Sequence, residues 1–187
     1  NIDYIYCMNY LSDSAKTSIR NEMKNLKYLQ TVSESVEEGE DCSYLSQYAN
    51  IKALYIDLYG KADLSAVTSL KNLRTLAIYG ECDNVENIAN ALPLLEDLRC
   101  QDLDLSKVTN TSLERIGFRC AGNADFSKFT NLESIDIWDY SDGEKISGLK
   151  NLKLHYLSVY SGEVPADASF VKELPAGLAY LRLYGVK

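Results

Sequence analysis

One short pattern of aliphatic and variable positions returns along almost the whole chain. It runs aliphatic, two variable positions, aliphatic, one variable position and a further apolar residue, which we write L-x-x-L-x-L. An asparagine often precedes it, as in Asn72-Leu73-Arg74-Thr75-Leu76 and Asn131-Leu132-Glu133-Ser134-Ile135. Successive copies lie about 18 to 25 residues apart, a period typical of repeat architectures. The pattern therefore predicts a repeat array.

Each copy of L-x-x-L-x-L predicts a short β-strand. Successive side chains of a strand point to opposite faces, so the last two aliphatic residues of the pattern point inward. One unit cannot bury its apolar edge alone, and stacked neighbours share a continuous core. We expect strands near residues 2–8, 26–32, 51–59, 73–79, 95–101, 113–119, 132–138, 154–160 and 178–184.

Two segments near the N-terminus depart from this rhythm. Ser12-Asp13-Ser14 precedes apolar residues at helical spacing, Ile19, Met23 and Leu26, which predicts a capped helix near 13–25. The segment 33–41 is rich in glutamate and aspartate and predicts a solvated acidic loop.

At the residues of the repeated pattern the chain resembles the leucine-rich-repeat family. Where the step is 22 residues it is most similar to the bacterial, internalin-like subclass, as in the stretches 64–73 and 146–152. The resemblance implies an α/β solenoid: a curved array with a parallel concave sheet of about nine short strands and irregular or short helical convex segments. We expect a single domain over 1–187. Both ends of the array are bare, which we interpret as a piece of a longer chain.

The outward positions of the predicted strands are unusually rich in tyrosine, tryptophan and arginine. We predict a binding face there, with aromatic flanks and a cationic middle, because these side chains dominate binding energy at interfaces. The alternative is that aromatic residues simply favour strands and that the arginines pair with neighbouring Glu96, Asp97, Glu114 and Asp136. The candidate binding residues are Tyr59, Tyr79, Arg99, Arg115, Arg119, Trp138, Tyr156, Tyr160, Tyr180, Arg182 and Tyr184.

Composition and charge exclude several classes of partner. The chain has 187 residues, 46% of them hydrophobic and 25% charged, with a formal net charge of −8. An acidic surface argues against nucleic-acid binding and against docking on an anionic membrane. No apolar run approaches the roughly 20 residues that span a bilayer. We therefore expect neither nucleic acid nor membrane insertion.

Candidate chemistry is sparse. The single histidine, His155, has no nucleophile or acid at a spacing that indicates catalysis, and we expect it to be exposed and inert. The cysteines, Cys7, Cys42, Cys82, Cys100 and Cys120, form no zinc or disulfide framework, and a Cys42–Cys82 bridge is not favoured. The acids near Asp102 and Asp139 match no complete calcium loop. We predict no catalytic residue, no metal and no cofactor.

The leading hypothesis is a non-catalytic recognition module that binds a protein, or alternatively a glycan, through the sheet face. The internalin-like resemblance implies a bacterial adhesion or host-interaction role outside the cell or on its surface. One alternative is an intracellular scaffold or effector segment, mildly favoured by unpaired cysteines. Another is a structural spacer for a missing functional domain. The sequence leaves the oligomeric state open, although bare ends of the array could pair.

Overall fold

The fold is seen in a computed structural model that describes residues 2–6, 12–23, 25–120, 122–162 and 166–187. The chain divides into two compact units, Asn1–Leu95 and Glu96–Lys187. Parallel strands separated by short connecting segments build both units, as the repeat predicts. The expectation of a single domain over 1–187 stays a prediction.

Within its described residues, the first unit contains four parallel strands and two α-helices. In chain order they are β1 (Tyr4–Tyr6), α1 (Asp13–Met23), β2 (Thr31–Glu37), β3 (Ala53–Tyr59), β4 (Thr75–Tyr79) and α2 (Val85–Ala91). Short 3₁₀ helices at Ser43–Gln47 and Ser65–Ser69 return the chain between strands. In helix α1, the Ser12 side chain accepts a hydrogen bond of 3.3 Å from the backbone N–H of Ala15, which confirms the predicted cap.

Stacked aliphatic residues form the core of the first unit. Leu54 is in register with Val32 on one side and Leu76 on the other, and all three are fully buried. Ile56 and Ile78 form the next buried rung of the same stack. Alternation along the strand therefore sends the repeat's aliphatic residues inward, as the pattern predicts.

The prediction for the second repeat is wrong in position. The strand expected at 26–32 lies at Thr31–Glu37, and most of the expected solvated loop, 33–41, belongs to it. Leu29 and Val32 take the positions in the second repeat that Ile51 and Leu54 take in the third. The prediction assigns these positions to Leu26 and Leu29. The third inward position is Glu34 instead of an aliphatic residue, and this charge in the core concealed the strand.

In the part of the second unit that the structure describes, five parallel strands belong to one sheet and two very short strands lie outside it. The five are β5 (Asp97–Asp102), β6 (Arg115–Arg119), β8 (Ser134–Tyr140), β10 (Tyr156–Ser161) and β11 (Tyr180–Tyr184), in that order across the sheet. The two short strands, β7 (Ala124–Asp125) and β9 (Ile146–Ser147), pair with each other. Short 3₁₀ helices lie at Leu105–Lys107 and Ser169–Glu173.

A recurring turn follows most strands in both units. Its aspartate accepts a hydrogen bond from the backbone N–H two residues later, always a serine, so the pattern is Asp-x-Ser. The five examples are Asp41–Ser43, Asp63–Ser65, Asp104–Ser106, Asp125–Ser127 and Asp167–Ser169. The backbone N–H of Ser43 lowers the pKa of Asp41, whereas the hydroxyl groups of Ser106 and Ser169 are the main cause of the lowered pKa of Asp104 and Asp167. Some of the chain's aspartates thus stabilise turns through hydrogen bonds to the backbone.

Among the described residues, no helix has the length and apolar character needed to cross a membrane.

Candidate binding face

The outward side chains of the second unit's sheet form what we call the binding face. Each strand contributes three outward positions, and parallel register aligns them into three rows across the sheet. The first row is Asp97, Arg115, Ser134, Tyr156 and Tyr180. The central row is Arg99, Gly117, Asp136, Ser158 and Arg182. The third row is Asp102, Arg119, Trp138, Tyr160 and Tyr184, with β-bulges in β5 and β8.

Two pairs of tyrosines stack between β10 and β11. Tyr156 lies parallel to Tyr180, with ring centroids 4.9 Å apart and planes 2° apart. Tyr160 and Tyr184 repeat the same arrangement, also at 4.9 Å and 2°. The stacking follows from the register, which places each tyrosine beside its partner on the next strand. The pairs hold four rings at fixed positions on an exposed surface.

Trp138 lies beside two shallow hollows. A hollow of about 230 Å³ is lined by Arg99, Arg115, Gly117, Asp136 and Tyr156, among others. A second, of about 170 Å³, is lined by Asp136, Ser158, Tyr160, Arg182 and Tyr184. Trp138 and Asp136 line both. The hollows are therefore neighbours, with an aromatic wall and a carboxylate in common.

Gly117 makes room for the indole of Trp138. A methyl group added to Gly117 would lie 3.2 Å from Trp138 Cζ2 and 3.6 Å from Arg99 Cγ. The first distance is tighter than an ordinary van der Waals contact, so the ring could not keep its place over a larger residue. Gly117 thereby sets the depth of the larger hollow.

Three of the four arginines on the binding face form ion pairs. Arg115 donates a 3.0 Å hydrogen bond from Nε to Asp97 Oδ2 and lies 3.4 Å from Glu114. Arg119 binds Asp102 through two hydrogen bonds of 2.9 and 2.6 Å. Arg99 lies 3.5 Å from the other Asp97 oxygen. The hydrogen bond to Asp97 raises the pKa of Arg115, so its charge is fixed on the face.

The alternative interpretation, that the arginines pair with neighbouring carboxylates, therefore explains some of these arginines but not all of them. Asp97 and Glu114 pair with Arg115, whereas Asp136 forms no ion pair among the described residues. Arg182, at the outer strand, likewise has none within that part of the chain. Asp136 and Arg182 are two charges of this face that a ligand could neutralise.

The structure places nine of the eleven candidate binding residues on the binding face. Tyr59 and Tyr79 belong instead to the first unit, where each ends its strand as an exposed side chain. Tyr28, which falls within the strand expected at 26–32, lies in an exposed turn before β2. It is not part of a sheet, because the second strand begins later than predicted.

Sequence reasoning identified Arg99 and Arg182 of the central row but not the residues between them. Gly117 and Ser158 were not predicted to matter, and Asp136 was considered only as an arginine partner, yet all three line the hollows. Their shared position, the middle outward residue of each strand, could have identified them.

The structure offers little for other chemistry. Among the described residues, no group of three or more histidine, cysteine, aspartate or glutamate side chains could hold a metal ion. Cys42, Cys82, Cys100 and Cys120 are free thiols, so Cys42 and Cys82 do not form a bridge, while Cys7 lies outside the described residues. Burial raises the pKa of Cys42 and Cys82 to about 11 and that of Cys120 to about 12. Such thiols are poor nucleophiles at neutral pH.

No family model and no curated protein matches the chain. Solved structures do. Internalin C2 from Listeria monocytogenes superposes with a TM-score of 0.64 at 18% identity, over 86% of this chain and 74% of that one. The internalin inlF of the same species gives a TM-score of 0.59 at 20% identity, over 88% of this chain and 57% of its own length. With its parallel strands and stacked L-x-x-L-x-L core, the chain has the leucine-rich-repeat fold seen in the internalins.

Proposed function

We propose that this chain is a non-catalytic recognition module that binds a protein partner through the binding face of the second unit. Leucine-rich-repeat arrays present extended surfaces built from neighbouring repeats, and such surfaces commonly serve binding. The observation that carries the proposal is the aromatic wall of Trp138 between two hollows, continued by two stacked tyrosine pairs.

The side chains of this face are already held in place before a partner binds. The tyrosines are already stacked, and Arg115 and Arg119 are already held by carboxylates. When a partner covers these side chains, they lose little conformational entropy. Ordering a flexible side chain would otherwise cost about 0.5–1.5 kcal/mol. Preformed aromatic and arginine anchors are the residues that hot spots favour.

A display library of natural protein fragments tests the proposal. The immobilised chain should enrich a set of fragments, and Trp138→Ala combined with Tyr160→Ala should abolish that enrichment while the variant keeps its circular dichroism spectrum. Tyr28→Ala is the control, because Tyr28 is an exposed aromatic residue that lies in a turn off the sheet. Equal enrichment by wild type and the double variant would contradict the proposal. Enrichment by neither would favour the spacer alternative.

We propose that the module acts outside the cell or on its surface, in adhesion or host interaction. One observation favours the intracellular scaffold instead: the four described cysteines are free thiols, and free thiols persist best in a reducing compartment. Fractionation of the source cells with an antibody against the chain distinguishes the two. Recovery from the medium or the cell surface is expected, and recovery only from the cytosol would support the scaffold.

A further inference from the structure

The central row carries charge at alternate strands. From β5 to β11 it reads Arg99, Gly117, Asp136, Ser158 and Arg182, each in register with the next. Neighbouring strands lie about 4.8 Å apart, so the two arginines stand about 10 Å to either side of the aspartate. By backbone position the row thus presents a cation, an anion and a cation at equal spacing, although the Arg99 guanidinium already lies 3.5 Å from Asp97 Oδ1 in the first row.

Small residues separate these charges. Gly117 has no side chain, and Ser158, only 6% exposed, is the residue between Asp136 and Arg182. Both hollows lie along this row: the larger is lined by Arg99, Gly117 and Asp136, the smaller by Asp136, Ser158 and Arg182. Because the two hollows share Asp136, they lie side by side along the central row, and we call them together the groove.

Aromatic rings flank this groove on both sides at the β10–β11 end. Tyr156 and Tyr180 stand in the first row, and Tyr160 and Tyr184 in the third. The Trp138 indole extends from the third row over Gly117, so it covers the central row between Arg99 and Asp136. Aromatic-lined grooves of this kind suit proline-rich segments in the polyproline II conformation, whose rings pack against aromatic side chains without a large entropy cost.

The repeat of a polyproline II helix fits the spacing of the charges. It has three residues per turn and a rise of about 3.1 Å per residue, so every third side chain returns to one face after about 9 Å. This is close to the two-strand interval of about 10 Å. A β-strand does not fit, because residues three apart in a strand point to opposite faces.

Resting on the proposed function of this face, we infer that the partner docks a polyproline II segment across the strands along the central row, with an acidic, a basic and an acidic residue at every third position. The acidic residues bind Arg99 and Arg182, and the basic residue binds Asp136 between them. Prolines at intervening positions pack against Trp138 and the tyrosine pairs. The order of charges is the same in both chain directions, so the segment can bind in either orientation along the row.

A synthetic peptide with a central Glu-Pro-Pro-Arg-Pro-Pro-Glu, flanked by prolines and labelled with fluorescein, tests this by fluorescence anisotropy. The charge-reversed peptide, Lys-Pro-Pro-Glu-Pro-Pro-Lys, and a version with alanine for every proline are the peptide controls. We expect the first peptide to bind about tenfold more tightly than either control, and the preference to weaken as salt screens the charges.

Variants of the chain provide the second arm. Combining Asp136→Arg with Arg182→Glu should reverse the preference, so that the lysine-bearing peptide binds better. The matched control combines Asp142→Arg with Lys172→Glu, the same charge changes at exposed positions outside the strands of the sheet. It should leave the preference intact. A reversal in the control variant as well would mean that the peptides respond to charges elsewhere on the surface, and it would overturn the inference.

The same peptides separate this inference from the proposed function. If they bind without a charge preference, or not at all, while Trp138→Ala with Tyr160→Ala still abolishes fragment capture, the face binds proteins but not in this way. If capture also survives that double variant, both proposals fail. Binding to a glycan array that requires Trp138, without binding of the peptide, would replace the polyproline segment with a carbohydrate.

Discussion

Arg20 donates a 3.1 Å hydrogen bond from Nη2 to Glu34 Oε2, and Glu34 is completely buried. Glu34 stands in register with Ile56 and therefore occupies a rung of the aliphatic core. Tyr48 donates a second hydrogen bond of 3.0 Å to the same carboxylate. Arg20 also binds Glu40 at 2.8 Å and stacks 3.7 Å above the Tyr44 ring. The network ties helix α1 to the second repeat.

Truncating one partner of this buried pair should cost far more stability than replacing both. Glu34→Ala leaves the Arg20 charge without its main partner and should lower the free energy of unfolding by about 3–5 kcal/mol. Arg20→Met combined with Glu34→Ile should come within about 1 kcal/mol of wild type, because an isoleucine there continues the rung of Ile56 and Ile78. Urea unfolding measures both. A double variant as unstable as the single one would contradict this account.

Replacing Gly80, which directly follows β4, should destabilise the fold. Its φ is +121°, and a methyl group there would lie 2.7 Å from the backbone oxygen of Leu58 on the neighbouring strand. We expect Gly80→Ala to lower the free energy of unfolding by about 1–3 kcal/mol, from strain and overlap together. Gly177→Ala is the control, since an added methyl meets nothing within 4 Å. Equal losses at the two sites would refute the steric argument.

The stacked tyrosines should be energetically coupled. Removing Tyr160 and Tyr184 separately and together gives a double-mutant cycle, and we expect a coupling free energy of about 0.5–1.5 kcal/mol, the usual range for an aromatic pair. Thermal unfolding followed by circular dichroism supplies the four values. Tyr160 with Tyr28 is the control pair and should be additive, since Tyr28 lies in an exposed turn of the first unit. Additivity for Tyr160 with Tyr184 would show that their stacking is not a stable feature of the face.

Alkaline pH should destabilise the fold partly through Cys120. Burial raises the pKa of this thiol from an ordinary 9.0 to about 12, so between these values the unfolded chain loses a proton that the folded chain keeps. Unfolding is therefore favoured as the pH rises above about 9. We expect the fall in unfolding free energy from pH 8 to pH 11 to be shallower in Cys120→Ala than in wild type. Identical slopes would mean that the thiol titrates normally.

Much of the fold follows from the sequence, because each copy of L-x-x-L-x-L contributes one layer of buried aliphatic side chains. Leu54, Leu76, Leu98, Ile116, Ile135 and Leu157 are all buried as the pattern predicts. The second repeat was misplaced because Glu34 breaks the pattern, and no local signal shows that Arg20, 14 residues earlier, compensates it. Burial of a charge depends on a tertiary partner, which hydrophobic periodicity does not record.

The candidate site was predictable in composition but not in organisation. Alternation along each strand identified the aromatic and arginine residues, since their outward direction depends only on the strand. Which carboxylate each arginine binds depends on register and on bulges, such as the one that brings Asp102 opposite Arg119. The groove depends on Gly117, whose role appears only with the Trp138 ring beside it.

The most direct test of the binding face is the affinity of one captured protein fragment for single alanine variants, measured by biolayer interferometry. The account predicts that Trp138→Ala weakens binding about 30-fold, the effect of a hot spot near 2 kcal/mol, while Tyr28→Ala changes it less than about twofold. Tyr59→Ala and Tyr79→Ala show whether the first unit contributes as well. Wild-type affinity in the folded Trp138→Ala variant would contradict the central claim that partners bind through this face.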